Sequence, residues 1–194
     1  MFTEPDWRNK KSIGTVSIGV DTVIRENVII NNPGKIDSCI GSNCYIMNTC
    51  FIGHDCVIGD GVTVCPHACI AGHVHIGDYT TIGMNASIHQ GSNIGKCCMI
   101  GAGSFFKGVS PDGLTWGGVP ARPLKVNIIG IERSNLSNLE KEQMILKAID
   151  SFKYFSNIQT KNRISSTCKK AVDVILYCIG WFNLTNVFNI KFRL

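Results

Sequence analysis

The chain has 194 residues and a net charge of +5, with 17% charged side chains, 44% hydrophobic ones and 20 glycines. That length suits one domain with a buried core plus an appendage. The modest positive charge suits a partner carrying phosphates, such as a coenzyme, a sugar nucleotide or an acidic carrier protein, and no cluster of Lys and Arg interleaved with aromatics points to nucleic acid.

Residues 1–12 are polar, with one Pro and one Trp, and read as an arm. They hold no apolar signal-peptide core, so a cytoplasmic protein is expected. Ile18, Ile24 and Ile30 then open a spacing of six, with Ile13 just ahead of the register. Between Ile30 and Ile40 the spacing becomes ten, which inserts four residues around Asn31-Asn32-Pro33-Gly34. Pro-Gly marks a turn, and a repeat structure accommodates such an insertion as a loop at a corner. The loop is either a harmless bulge or the border of a site.

From Ile40 the spacing holds without a slip through Ile46, Ile52, Ile58, Val64, Ile70, Ile76, Ile82, Ile88, Ile94 and Ile100 to Phe106. Four positions after each stands a small or compact residue, from Cys44, Cys50 and Cys56 to Cys98, Ser104 and Ser110. Neither a helix nor a two-faced strand has this period. Repeats of six predict a parallel β-helix, in which three hexads make a triangular coil of about eighteen residues with the aliphatic residue inward on each wall. The spacing does not reveal the sense of coiling. Cys44, Cys50, Cys56 and Cys98 fall in the small inward slot, where a thiol behaves as a compact hydrophobe. Cys39, Cys65, Cys69 and Cys97 lie elsewhere with no C-x-x-C pair among them, so reduced structural thiols are expected.

Pro111-Asp112-Gly113 breaks the pattern, and the stretch from Gly117 to Pro123 closes it. Ser137 and Glu140 form a capping box, after which Leu139, Ile145, Ile149, Phe152 and Phe155 recur at helical spacing. A second helical segment is expected around Lys169 to Trp181, with an apolar run too short to span a bilayer, so no transmembrane segment is expected. The chain thus divides into an arm and β-helix at 1–119 and a mainly helical extension at 120–194.

Five histidines carry the candidate chemistry. In a coil of about eighteen, His54, His73 and the His89-Gln90 pair fall near one edge on successive coils. His67 and His75 lack that relation and read as structural. A zinc site needs three converging ligands. In the hexapeptide-repeat carbonic anhydrases two of these are histidines five residues apart, whereas here Asp78 stands five after His73, so no metal is expected.

The segments Ile52-Gly-His-Asp-Cys-Val-Ile-Gly59, Ala71-Gly-His73, Ile88-His-Gln90 and Val126-Asn-Ile128 with Gly130 resemble the UDP-N-acetylglucosamine acyltransferases of lipid A synthesis. The resemblance extends over Ile24 to Ile30 and to Arg133 with Ser137, while Gly118-Val-Pro-Ala121 resembles the coenzyme A-dependent sugar acetyltransferases. It implies a left-handed β-helix assembled as a homotrimer, with sites in the grooves between subunits. In that family's terms His54 is the general base, Asp55 its orienting acid, and the Gly72 N–H the donor to the thioester oxyanion. His73, His89 and Gln90 match positions lining the acceptor and acyl pocket, and Asn127 and Arg133 match contacts to a nucleotide or the donor arm. Ala102, Gly118 and Arg122 match the donor side.

Departures bear on specificity. Ile129 stands where the lipid A enzymes carry glutamate, Ser134 where a second basic residue is common, and Ala102 where glycine opens the pocket for a long chain. The chain also begins where those enzymes have completed several coils, without their acceptor loop. The expectation is transfer of a short acyl group, acetyl for instance, from a coenzyme A thioester to an amino or hydroxyl group of a nucleotide-linked sugar. The alternatives are an acyl-carrier-protein-dependent O-acyltransferase of lipid A type and a non-catalytic scaffold.

Overall fold

A computed structural model describes residues 14–163, with side-chain surroundings as far as Ser156. The N-terminal arm and the helix expected at Lys169 to Trp181 lie outside the described residues. The chain divides into two compact units, residues 1–153 and 154–194.

The first unit is the expected parallel β-helix of the left-handed class. Its first wall is built from Val16–Ile18, Ser38–Ile40, Val57–Ile58, His75–Ile76, Asn93–Ile94 and Val109–Ser110. The second takes Val23–Ile24, Tyr45–Ile46, Thr63–Val64, Thr81–Ile82, Met99–Ile100 and Leu114–Gly117, and the third Ile29–Ile30, Phe51–Ile52, Cys69–Ile70, Ser87–Ile88 and Phe105–Phe106. Within each wall the strands pair in parallel, so inward side chains stack in ladders such as Ile40, Ile58, Ile76 and Ile94. Ile46, Ile70, Ile82 and Ile100 are fully buried. Each such side chain contributes about 1.5–3 kcal/mol relative to exposure.

Residues in the small slot are buried too, and their polar atoms find partners. The Cys44 thiol donates to the Gly59 carbonyl at 3.1 Å, Cys56 to Ala71 at 3.2 Å, and the Thr80 hydroxyl to Gly95 at 2.7 Å. Each satisfies a corner carbonyl on the next coil. Burial pushes the Cys56 and Cys98 thiols up to about 11, so they remain protonated donors.

From Ile40 to Ile100 the third residue after each inward position adopts a left-handed conformation, including Asn43 (φ 56), Asp55 (φ 58), His73 (φ 58) and Gly91 (φ 70). Asn, Asp and Gly tolerate this region best, and several hold the slot here. His73 and Asp55 are therefore fixed by the corner as much as by their neighbours.

Two expectations change. Ser110, placed by the period in a small corner slot, instead pairs in register with Ile94 as a wall residue. The last coil is two residues shorter, and Trp116 turns in to stack edge-on against Phe106 at 5.2 Å and donate to Ser110 Oγ at 2.6 Å. Ile18 and Ile24 take their ladder positions but are 46% and 38% exposed, because no described coil precedes them.

Beyond the parallel coils, Arg122–Val126 folds back antiparallel on Leu114–Gly117. A short helix α1 (Ile128–Arg133) follows, buried through Ile131, and then α2 (Asn138–Arg163). The capping box at the start of α2 forms as expected, with the Ser137 N–H donating to Glu140 Oε2 at 2.8 Å and the Glu140 N–H to Ser137 Oγ at 3.4 Å. Ala148 is its buried contact, while Leu139 is exposed.

Candidate functional site

The corner between the third and first walls gathers His54, Asp55, Gly72 and His73. Register explains this: the corner after Ile52 lies one coil from the corner after Ile70, since Ile52 and Ile70 pair. The Asp55 carboxylate is completely buried. Its Oδ1 accepts the N–H groups of Gly34, Lys35 and Ile36 at 3.1, 2.8 and 2.8 Å. Its Oδ2 lies 2.6 Å from His54 Nδ1 and 3.7 Å from His73 Nε2. Burial by itself would raise the acid's pKa. The Ile36 N–H, the His54 imidazole and the Lys35 and Gly34 N–H groups outweigh it and hold the carboxyl at about 2. Asp55 is therefore ionised at neutral pH and accepts from Nδ1–H, which leaves the lone pair of a neutral His54 on Nε2.

That nitrogen lies over Gly72. A Cβ at position 72 would sit 2.6 Å from His54 Nε2 and 2.7 Å from Cε1, so only glycine leaves the imidazole room. The His73 ring meets the His54 ring edge-on at 4.9 Å. Both histidine side chains are about one third exposed, so the site opens to solvent over a buried carboxylate. The Gly72 N–H has no hydrogen-bond partner among the described residues. His54, Asp55 and His73 each bring a ligand-type atom within 4.8 Å of the others. The close Nδ1 to Oδ2 hydrogen bond and the three donors on Oδ1 already use the carboxylate, which fits an oriented base better than a metal cradle.

The remaining sequence-predicted residues are spread more widely. His89 and Gln90 follow Ile88 on the next coil of the same corner, with His89 Nδ1 2.9 Å from the Gln90 carbonyl and its ring edge-on to Phe105 at 6.1 Å. Ala102 and Gly118 lie at the corner between the second and third walls, both exposed, and Gly118 N–H donates to Ser104 Oγ at 3.1 Å. Exposed Arg122 donates to the neighbouring Ala121 carbonyl at 3.3 Å. Asn127 and Arg133 are not part of the histidine corner. They line a groove of about 580 Å³ against the second wall, together with Thr63, Thr81, Thr115 and Lys125. The Asn127 amide is also structural: its oxygen caps α1 by accepting from the Gly130 N–H at 3.3 Å, and its nitrogen donates to the Cys97 carbonyl at 2.9 Å.

A parallel coil of hexads carrying an oriented imidazole at one edge defines a class. Residues 40–72 and 73–108 match the bacterial transferase hexapeptide (six repeats) family, so this stretch of the chain carries the repeats of that family. The chain is similar to the UDP-N-acetylglucosamine acyltransferase of Arabidopsis, with 32% identity over 66% of this chain and 45% of that one and a TM-score of 0.62. LpxA from Acinetobacter baumannii shares 29% identity over 77% of this chain and 64% of its own, with a TM-score of 0.66. PerB from Caulobacter crescentus, solved with CoA and GDP-perosamine, shares 28% over 62% and 52%, with a TM-score of 0.53. The chain therefore spans from about half to just under two thirds of the length of these structures. No curated protein sequence matches it. Among the described residues, no helix is long and apolar enough to cross a membrane.

Proposed function

We propose that the protein is an acyltransferase that moves a short acyl group, acetyl in the simplest case, from a coenzyme A thioester to an amino or hydroxyl group of a nucleotide-linked sugar. The observation that carries the reading is the buried, ionised Asp55 bound at 2.6 Å to Nδ1 of a partly exposed His54. His54 Nε2 takes the proton from the acceptor as it attacks the thioester carbon, a role that contributes about 10²–10⁴-fold. Asp55 stabilises the imidazolium that forms. The Gly72 N–H, which has no partner among the described residues, is available to the oxyanion beside it. Collapse of the tetrahedral intermediate expels the thiolate, which takes up the proton. No acyl-enzyme is needed.

His73, His89 and Gln90 line the acceptor side in this reading, and Ala102, Gly118 and Arg122 the donor side. Arg133, exposed on the second-wall groove, is placed to meet a phosphate. Asn127 acts there mainly by shaping α1. Following the family resemblance, we assign the working assembly to a homotrimer in the cytoplasm; the groove and the histidine corner, which lie on different walls of one chain, would then be supplied to one site by neighbouring copies.

One observation favours a second reading. The match to the UDP-N-acetylglucosamine acyltransferases is fuller than that to the perosamine enzyme, with TM-scores of 0.62 and 0.66 against 0.53. UDP-N-acetylglucosamine as acceptor, with an acyl carrier protein as donor, is the corresponding alternative. A thiol-release assay with acetyl-CoA against a panel of amino and N-acetylated nucleotide sugars tests the first reading, with His54→Ala as control. Turnover that disappears in His54→Ala supports it. Silence with acetyl-CoA but turnover with an acylated carrier protein transfers the assignment to the second reading.

A further inference from the structure

We propose that the inserted loop, residues 31–37, is a positioning element of the acyl-transfer site: its three consecutive N–H groups clamp one oxygen of Asp55 and so turn the other onto His54 Nδ1. The proposal rests on the reading of His54 as base and adds to it the part that sets its tautomer.

The geometry is specific to this corner. The N–H groups of Gly34, Lys35 and Ile36 converge on a single atom, Asp55 Oδ1, at 3.1, 2.8 and 2.8 Å. Successive amides facing one oxygen form an anion-holding nest. The loop is itself held at both ends and in the middle. The Asn31 N–H donates to the Ile52 carbonyl at 3.0 Å. At the far end the Thr15 N–H and hydroxyl donate to Asp37 Oδ1 at 2.7 and 3.1 Å. Buried Pro33 lies so close to Gly14 that a Cβ there would be 2.6 Å from Pro33 Cγ. The first coil thus fixes the loop, the loop fixes the carboxylate, and the carboxylate fixes the imidazole. The groups facing Asp55 are these three amides, His54 Nδ1 at 2.6 Å and His73 Nε2 at 3.7 Å. The Lys35 and Ile36 side chains are exposed, so their contribution comes from backbone N–H groups alone.

The clamp has a consequence that an unclamped carboxylate lacks. An amide at position 55 must turn its oxygen to the three donors, which leaves its NH₂ facing His54. Nδ1 then has to accept, and the proton moves to Nε2, where it blocks the base. A freely rotating amide would instead present its oxygen to Nδ1–H and keep the working tautomer.

The test is ¹⁵N NMR of the His54 imidazole and ¹³C titration of the residue-55 carboxyl in the full chain, for the native protein and for Asp55→Asn, Lys35→Pro, Ile36→Pro and Lys35→Ala. The expected result is Nδ1–H in the native chain and Nε2–H in Asp55→Asn. Either proline variant, which deletes one charge-assisted donor, should raise the Asp55 midpoint by about one to two pH units, whereas Lys35→Ala, which keeps the N–H, should not move it. An Asp55→Asn protein that retains Nδ1–H overturns the clamp, as do folded proline variants with an unmoved midpoint. Should the proline variants fail to fold, the tautomer in Asp55→Asn decides. None of these signals requires turnover, so failure of the clamp is read separately from failure of His54 as base, which the thiol-release assay addresses.

Discussion

At the corner between the first and second walls, the N–H groups of Ser42, Asp60 and Lys96 are capped by the carboxylates of Asp60, Asp78 and Asp112 on the following coil, at 2.7, 3.1 and 2.7 Å. The same position at the corner between the third and first walls is held by His54, Gly72 and Gln90, and no carboxylate caps them. There the acid has moved one residue along, to Asp55, where it is buried and meets three backbone donors instead of one. A carboxylate that takes one backbone donor and stays partly or fully exposed seals a turn. With three donors and no solvent, it can orient an imidazole. Chemistry at this edge thus comes from leaving the ordinary cap out and burying the charge beside it.

The comparison can be broken in order of effect. His54→Ala should lower transfer by at least about 10²-fold while the melting temperature stays near native, because the side chain packs at an open corner; a retained rate removes His54 from the mechanism. Gly72→Ala comes next. Its methyl group would displace the imidazole, and misplacement on the order of 1 Å can cost about 10²-fold in rate. At the sealed corner, Gly41→Ala crowds the Gly59 backbone and Asp60 Oδ1 and should cost about 1–3 kcal/mol of stability with the rate per folded molecule unchanged. Comparing kcat and urea midpoints for the pair tests whether the two corners are separable.

Smaller effects sharpen the picture. Asp55 is held at about 2 in the folded chain against an ordinary 3.8. A depressed carboxyl stabilises fully above the unfolded value and loses that contribution as pH falls through the folded one. About 2 kcal/mol should therefore disappear between pH about 4 and about 2, and Asp55→Asn should lose that part of the acid limb in urea unfolding. Least of all, Lys96→Met removes the half-exposed ion pair to Asp78, 2.7 Å long, and should cost under about 1 kcal/mol, less still in high salt.

How much of this was legible in the sequence depends on what carried the signal. The inward ladder from Ile40 to Phe106 was readable because every coil repeats one steric demand, and all twelve positions are buried. The left-handed slot went unread, although Asn43, Asp55, Asn85 and Gly91 hold it, because the period of six alone does not point to it. Ser110 misled because a two-residue contraction leaves no mark on a residue that fits either slot. Asn127 was marked only by the family resemblance, and its capping of α1 was not legible, because α1, only six residues long, gave no periodicity to reveal it. The loop's part at Asp55 was invisible for a deeper reason. Its donors are backbone N–H groups, which every residue except proline has.

The insertion itself has a wider meaning. Ile18 pairs with Ile40, Ile24 with Ile46 and Ile30 with Ile52, just as ladder residues pair in coils that have no insertion. Four extra residues therefore enter one edge and leave all three ladders aligned. In evolutionary terms the coil behaves like a rack with interchangeable fittings. A segment at one corner can be lengthened, shortened or replaced, and the selectivity of that edge revised, without any compensating change in the interior.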